Sequence, residues 1–190
     1  MSESDSVGPW ELAAASKSTR APAPSADEQE VIQLFDELRS PLLRYLLGFG
    51  LPSQDGEEVI QEVFLALFQH LRRGKSRQNL RGWIFRVAHN LGLKRRVART
   101  REALVMSEEA LAAALPDRGE NPEQQLLSSQ QHKRLQMVLR ALPEQDQWCL
   151  SLRAEGLRYR EIAEVLDISL ASVSTSLGRS LARLSRVADD

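Results

Sequence analysis

The 190-residue chain holds one cysteine, Cys149, and three histidines, and its aromatic content is only 5%. A single thiol excludes an internal disulfide framework and any zinc site built from clustered cysteines. His70, His89 and His132 are far apart in sequence, and no metal-spaced cluster, phosphate-cradling glycine loop or nucleophile elbow accompanies them. No catalytic residue, no metal ligand and no cofactor is therefore expected. Cys149 follows Trp148 inside an apolar helical pattern and is expected to be a buried structural thiol. No apolar run approaches the ~20 residues of a membrane span, and Met1-Ser2-Glu3-Ser4-Asp5 lacks the basic start and apolar core of a signal peptide. No membrane insertion and a cytoplasmic location are expected. Leu, Ala and Val carry the apolar content, which favours helix over β-sandwich.

The net charge is −1, which by itself argues against a nucleic-acid partner. Its distribution argues the opposite. Residues 1–71 set four Lys+Arg against twelve Asp+Glu, residues 72–101 contain eleven Lys+Arg and no acid, and residues 102–190 set ten against fourteen. Thirty residues without one acid, in a chain this rich in acids, form a concentrated anion-attracting block whatever the total charge.

Periodicity divides the chain into four parts. Residues 1–27 are Ser-, Ala- and Pro-rich and are expected to be a disordered tail. From about Glu28 an apolar stripe of Val31, Leu34, Phe35 and Leu38 continues past Pro41 through Leu42, Leu43, Leu46 and Leu47, until Gly48, Gly50 and Pro52 break it. Ser53 is the expected N-cap of a second helix carrying Val59, Ile60, Val63, Phe64, Leu67, Phe68 and Leu71. A basic loop over 72–77 leads to a third helix, from near Asn79, with Leu80, Trp83, Ile84, Val87, Ala88 and Leu91 as its stripe. Trp83, on that stripe, is expected in the core. Residues 101–129 read as a flexible acidic linker, interrupted by Pro116, Gly119 and Pro122. Helical periodicity returns at Leu135, Val138, Leu139 and Leu142, and Pro143 fits a helix start. No strand alternation is present. The expected fold is all-α: two small helical domains, over 28–100 and 130–186, joined by the linker.

The segment Tyr159 to Leu177 has the pattern of a helix-turn-helix. Ile162, Ala163 and Leu166 form the inner face of its first helix, and the small Ala163 lets the second helix cross closely. Asp167 falls at the turn, where a left-handed conformation is needed. Ser169 can cap the second helix, and Val173 and Leu177 anchor it as an i, i+4 pair. In such motifs the second helix enters the major groove; the alternative is an ordinary helical hairpin.

Two blocks, in order, resemble bacterial RNA polymerase sigma factors, specifically the small two-domain extracytoplasmic-function subfamily. The first is Asp55 to Phe64 followed by Asn79 to Asn90, similar to the family's region 2. The second is Leu142 to Leu150 followed by Gly156 to Ala163 and the next helix, similar to region 4. The resemblance implies a factor that binds core polymerase through the largest-subunit clamp and the flap, recognises and melts promoter DNA, and has an anti-sigma factor as an optional further partner. It implies polymerase contacts at Asp55, Glu58, Gln61 and Glu62. It places the minus-ten element against the loop residues Arg72, Arg73, Lys75, Arg77 and Asn79 and the following helix. There Arg86, Asn90 and Lys94 fall at i, i+4, i+8, with Arg95 beside them. Cations so arranged hold phosphates, and Asn79 is a residue type able to read a base edge. For the minus-thirty-five element the implied set is Arg158, Ser169, Ser172, Ser174, Thr175, Ser176, Arg179 and Arg183.

The chain departs from the family where the recognition helix commonly carries Lys and Arg: here stand Ser174, Thr175 and Ser176, with Gly178 after them. Lys94 also stands where an Asp is frequent. Three other readings compete. A conventional helix-turn-helix regulator would need a dimerisation element, and no heptad run supplies one. An enzyme lacks a site. An interaction module that binds polymerase without promoter activity fits the Ser-rich helix.

Overall fold

The computed structural model describes residues 24–106 and 137–188. Within them the chain is helical, and no strand is present among the described residues. The first 23 residues of the expected tail, and residues 107–136 of the expected linker and the start of the second domain, lie outside the described residues.

Helix α1 spans Ala26–Gly48. It starts two residues ahead of Glu28 because Ser25 and Glu28 form a reciprocal capping box: the Glu28 amide donates to Ser25 Oγ (3.3 Å) and the Ser25 amide donates to Glu28 Oε2 (2.6 Å). Pro41 sits inside this helix. A proline there removes a backbone donor and costs about 3 kcal/mol. Burial of Leu38, Leu42, Tyr45 and Leu46 on both sides of it offsets that cost. Helix α2 spans Ser53–Arg72 and antiparallels α1 across a core of Val59, Ile60, Val63, Phe64 and Leu67. Its cap position belongs to Pro52, which gives no side-chain hydrogen bond, so Ser53 is the first helical residue and not the N-cap expected from sequence. Gly56 lets the two helices close up, since a Cβ there would lie 2.9 Å from Leu43 Cδ1.

Helix α3 spans Leu80–Met106 and lays Leu80, Ile84, Phe85 and Ala88 on α1 and α2. It runs six residues into the stretch expected to be linker, because Arg101 to Met106 contain no Gly or Pro to stop it. After residues 137–140, which are helical, come α4 (Glu144–Ala154), α5 (Tyr159–Leu166) and α6 (Leu170–Ala188). Their core is Leu142, Cys149, Leu152, Leu157, Ile162, Val165, Val173 and Leu177. Cys149 is fully buried, and burial pushes its thiol pKa up. Asp167 takes the left-handed conformation at the α5–α6 turn (φ 54°), and Ser169 Oγ accepts from the Ser172 amide at 3.1 Å. The inner face of α5 is Ile162 and Val165; Ala163 and Leu166 pack at its margin.

The two helical units are in contact. α3 packs against α5, and Trp148 of α4 stacks on Phe49 at the end of α1, with ring centroids 5.6 Å apart. Arg44 of α1 donates to both carboxylate oxygens of Glu155 (3.0 and 2.8 Å), and Arg81 of α3 donates to the Glu155 carbonyl (2.6 Å). Arg96 pairs with Glu144.

Candidate nucleic-acid and polymerase interface

The acidic residues of α2 and the arginines of α3 are neighbours. Asp55 accepts from Arg99 (2.9 Å), and Arg95 reaches both Glu58 (2.6 Å) and Glu62 (3.6 Å). Gln61 and Glu62 are exposed on the same helix. The expected polymerase contacts thus form one ridge, and Arg95, expected on DNA, is held by that ridge in this conformation. Pairs this exposed contribute about 0–1 kcal/mol each, so they are readily exchanged for an external partner.

The loop before α3 is pinned at two points. His70 Nε2 meets the Ser76 carbonyl at 2.8 Å, and Arg77 pairs with Asp27 and Glu30 of α1. Arg72, Arg73 and Lys75 stay exposed between these points. Asn79 has φ 52° and acts as the cap of α3: its Oδ1 accepts from the Gly82 amide at 3.1 Å, and its carbonyl accepts from the Trp83 amide at 3.0 Å. Gly82 is required by that cap, because a Cβ would lie 2.5 Å from Asn79 Nδ2. Asn79 therefore has a structural duty in addition to any base contact.

Along α3, Arg86, Asn90 and Lys94 are all exposed on one face, as their spacing predicts. Among the described residues, Arg72, Arg73, Lys75, Arg86 and Lys94 make no ion pair. Trp83 lies half-buried at the edge of the core against His70, with centroids 4.7 Å apart.

In the second unit, Arg158, Ser169, Ser174, Thr175 and Arg183 are exposed and Ser172 is half-buried. Ser176 is only 1% exposed, so in this conformation it faces the interior and accepts from Gln145 Nε2 at 3.3 Å; it leaves the expected DNA-facing set. Arg179 has an internal partner as well. Its Nε and Nη2 donate to the two carboxylate oxygens of Asp146, both at 2.8 Å, and that hydrogen bond holds the Asp146 carboxyl below its usual pKa. Nothing in the sequence pairs Asp146 with a residue 33 positions away; the signal was limited to an acid in the first turn of α4. A cleft of about 720 Å³ between the units brings together Asn79 and Arg158, one expected contact from each.

The family model described as Sigma-70 region 2 matches residues 34–102, and that described as Sigma-70, region 4 matches residues 132–184. The ECF RNA polymerase sigma-E factor of Escherichia coli K12 is 26% identical over 157 residues, covering 79% of this chain and 80% of that one. RNA polymerase sigma factor CnrH of Cupriavidus metallidurans is 28% identical over 175 residues, covering 89% and 92%. Two solved structures share the fold. The sigma factor RpoE of Bartonella quintana, in complex with the anti-sigma factor NepR, matches with a TM-score of 0.64 at 15% identity, covering 85% of this chain and 98% of that one. CnrH in complex with the cytosolic domain of CnrY matches with a TM-score of 0.58 at 23% identity, covering 85% and 88%.

Proposed function

The chain belongs to the sigma-70 family of RNA polymerase sigma factors, in its extracytoplasmic-function group, and on that footing we propose how its two helical units divide the work of promoter recognition, DNA melting and initiation. The observation that carries the reading is that the two region matches fall, in order, on the two helical units. The first unit, residues 28–100, docks on core polymerase through Asp55, Glu58, Gln61 and Glu62 and holds the minus-ten element. Arg72, Arg73, Lys75, Arg86 and Lys94 supply the phosphate grip, with Asn90 on the same α3 face; Arg95 joins once the α2 acids engage the polymerase. Arg77 and Asn79 shape the loop that presents this surface. The second unit, residues 130–186, reads the minus-thirty-five element through the exposed face of α6, with Ser169, Ser172, Ser174 and Thr175 near the groove and Arg158 and Arg183 on the backbone.

The chemistry of RNA synthesis belongs to the polymerase; this chain positions it. No described helix is long and apolar enough to cross a membrane, and with promoter DNA as target the proposed location is the cytoplasm. The structural neighbours were solved in complex with NepR and CnrY, and a comparable inhibitory partner is proposed here. The test is run-off transcription from genomic promoter fragments by core polymerase with and without the protein. Added protein should produce discrete transcripts, and replacing Asp55 and Glu58 by Lys should abolish both these and co-purification with core at unchanged helicity. Discrete binding to duplex without polymerase, and no stimulated transcript, would favour a conventional regulator instead.

A further inference from the structure

The junction between the two units is built around a histidine. His89, on α3, is 5% exposed. Its Nδ1 lies 2.8 Å from the Tyr45 hydroxyl of α1, and its ring meets Phe49 at 5.4 Å between centroids. The remaining side of the pocket is supplied by the other unit: the Trp148 indole of α4 packs at 5.0 Å, nearly perpendicular to the imidazole, while also stacking on Phe49. The titratable groups packed here are Tyr45 from α1 and, beyond it, Cys149 from α4. Neither carries charge near neutrality, and burial pushes the pKa of both up. The charged residues of the junction, Arg44 with Glu155, Arg81 with Glu37 and Arg96 with Glu144, are tied to one another as ion pairs. Among the described residues, no carboxylate therefore compensates a positive charge on the imidazole.

We propose that His89 is a proton-sensitive latch: the second unit closes on the first only while the imidazole is neutral, and protonation releases Trp148 and separates the units. The direction follows from linkage. Burial depresses the His89 pKa from 6.5 to about 4 in the closed form, and departure of Trp148 opens the ring to water on the side that the second unit covers. The closed form thus binds fewer protons, so closure is complete above the open-state value and is lost as pH falls from 6.5 towards 4. Between pH 7 and pH 5 the closed-to-open ratio falls by up to about 20-fold, the limit set by full hydration of the ring in the open form. Closure matters because the two promoter elements, about 25 base pairs apart, are separated by on the order of 85 Å at ~3.4 Å per base pair. Units in direct contact cannot reach both. That consequence rests on the proposed promoter reading; the latch itself does not.

The latch is tested on the full chain by two measurements. The His89 ring is titrated by NMR in the wild type, in Trp148→Ala and in Glu155→Gln, a variant that weakens the junction without touching the pocket. In parallel, energy transfer between labels on α1 and α6 reports the open fraction from pH 7 to pH 5. The wild-type midpoint should lie well below 6.5, and each variant should raise it in step with its open fraction. His89→Gln, whose amide still accepts from Tyr45, should abolish the pH-dependent opening. A variant that opens without moving the midpoint overturns the latch. So does failure of either variant to open the junction, or opening that persists unchanged in His89→Gln. Should Trp148→Ala not fold, Glu155→Gln decides alone. Polymerase is absent from every arm, so the outcome is independent of whether the chain directs transcription.

Discussion

Replacing Arg179 by Gln should damage the second unit before it affects any DNA contact. The Asp146 side chain is 1% exposed, and both its oxygens are occupied by Arg179. Removing one partner of a fully buried pair costs about 3–5 kcal/mol, mostly because a charge is left unpaired. Here the Arg179 side chain is 46% exposed, so solvent screening brings the expected loss to about 2 kcal/mol. For a unit this small that corresponds to roughly 10 °C in melting temperature. The assay is urea unfolding of the full chain followed by hydrogen exchange at the α4 and α6 amides. Asp146→Asn should cost a similar amount, and the double variant Asp146→Asn, Arg179→Gln less than the sum, with a coupling of about 1–2 kcal/mol. The pH dependence has a fixed sign. Because the folded Asp146 pKa lies below its ordinary 3.8, the pair's contribution is complete above that value and is lost as pH falls through the depressed one. Wild type and Arg179→Gln should therefore converge in acid. Additive losses, or a loss below about 0.5 kcal/mol for Arg179→Gln, would show that the pair is incidental and return Arg179 to the DNA-facing set.

Other substitutions separate structural from functional duties. Asn79→Asp keeps the cap oxygen but replaces the amide donor by a carboxylate, so it should leave thermal stability within about 0.5 kcal/mol; promoter opening retained in that variant would show that the amide makes no essential base contact. Gly82→Ala should cost about 1 kcal/mol or more by displacing the Asn79 cap, visible as lower amide protection at the start of α3. Phe85, fully buried between Tyr45 and the rest of the core, should cost about 3–5 kcal/mol when truncated to Ala, measured by urea denaturation. Finally, Arg86→Gln with Lys94→Gln should reduce the log–log salt slope of open-complex formation by about two units. Adding Arg95→Gln should change it by less than one more if Glu58 and Glu62 still hold that side chain in the holoenzyme.

Much of this molecule is legible from its sequence, for identifiable reasons. The apolar stripes of α1, α2 and α3 are long and regular, so burial is written directly into their 3.6-residue period. The α5–α6 turn is equally local: Asp167 in the left-handed region and Ser169 as cap need only their own neighbours. Ser53, a good capping residue by type, lies inside α2 because Pro52, one position earlier, holds the cap position. The Ser-rich stretch of α6 does not present one uniform face. Ser174 and Thr175 are exposed while Ser176, one residue on, is buried, because a helix turns by 100° per residue and the anchors Val173 and Leu177 carry Ser176 inward with them.

The amino-acid order alone determined the all-α class, the two-unit plan, the concentration of positive charge over 72–101 and the region 2 and region 4 motifs. Each of these depends on residues close together in the chain, where periodicity, capping and charge act over a few positions. The tertiary structure decided which of the chain's arginines are free. Arg95 spent on Glu58, Arg179 on Asp146, Arg77 on Asp27 and Arg44 on Glu155 are pairings across 33 to 111 positions. Long-range partners of this kind are chosen by how whole helices pack, and no local pattern encodes them. The same holds for His89, which is one more residue on a helical stripe until Trp148, 59 positions away, closes over it.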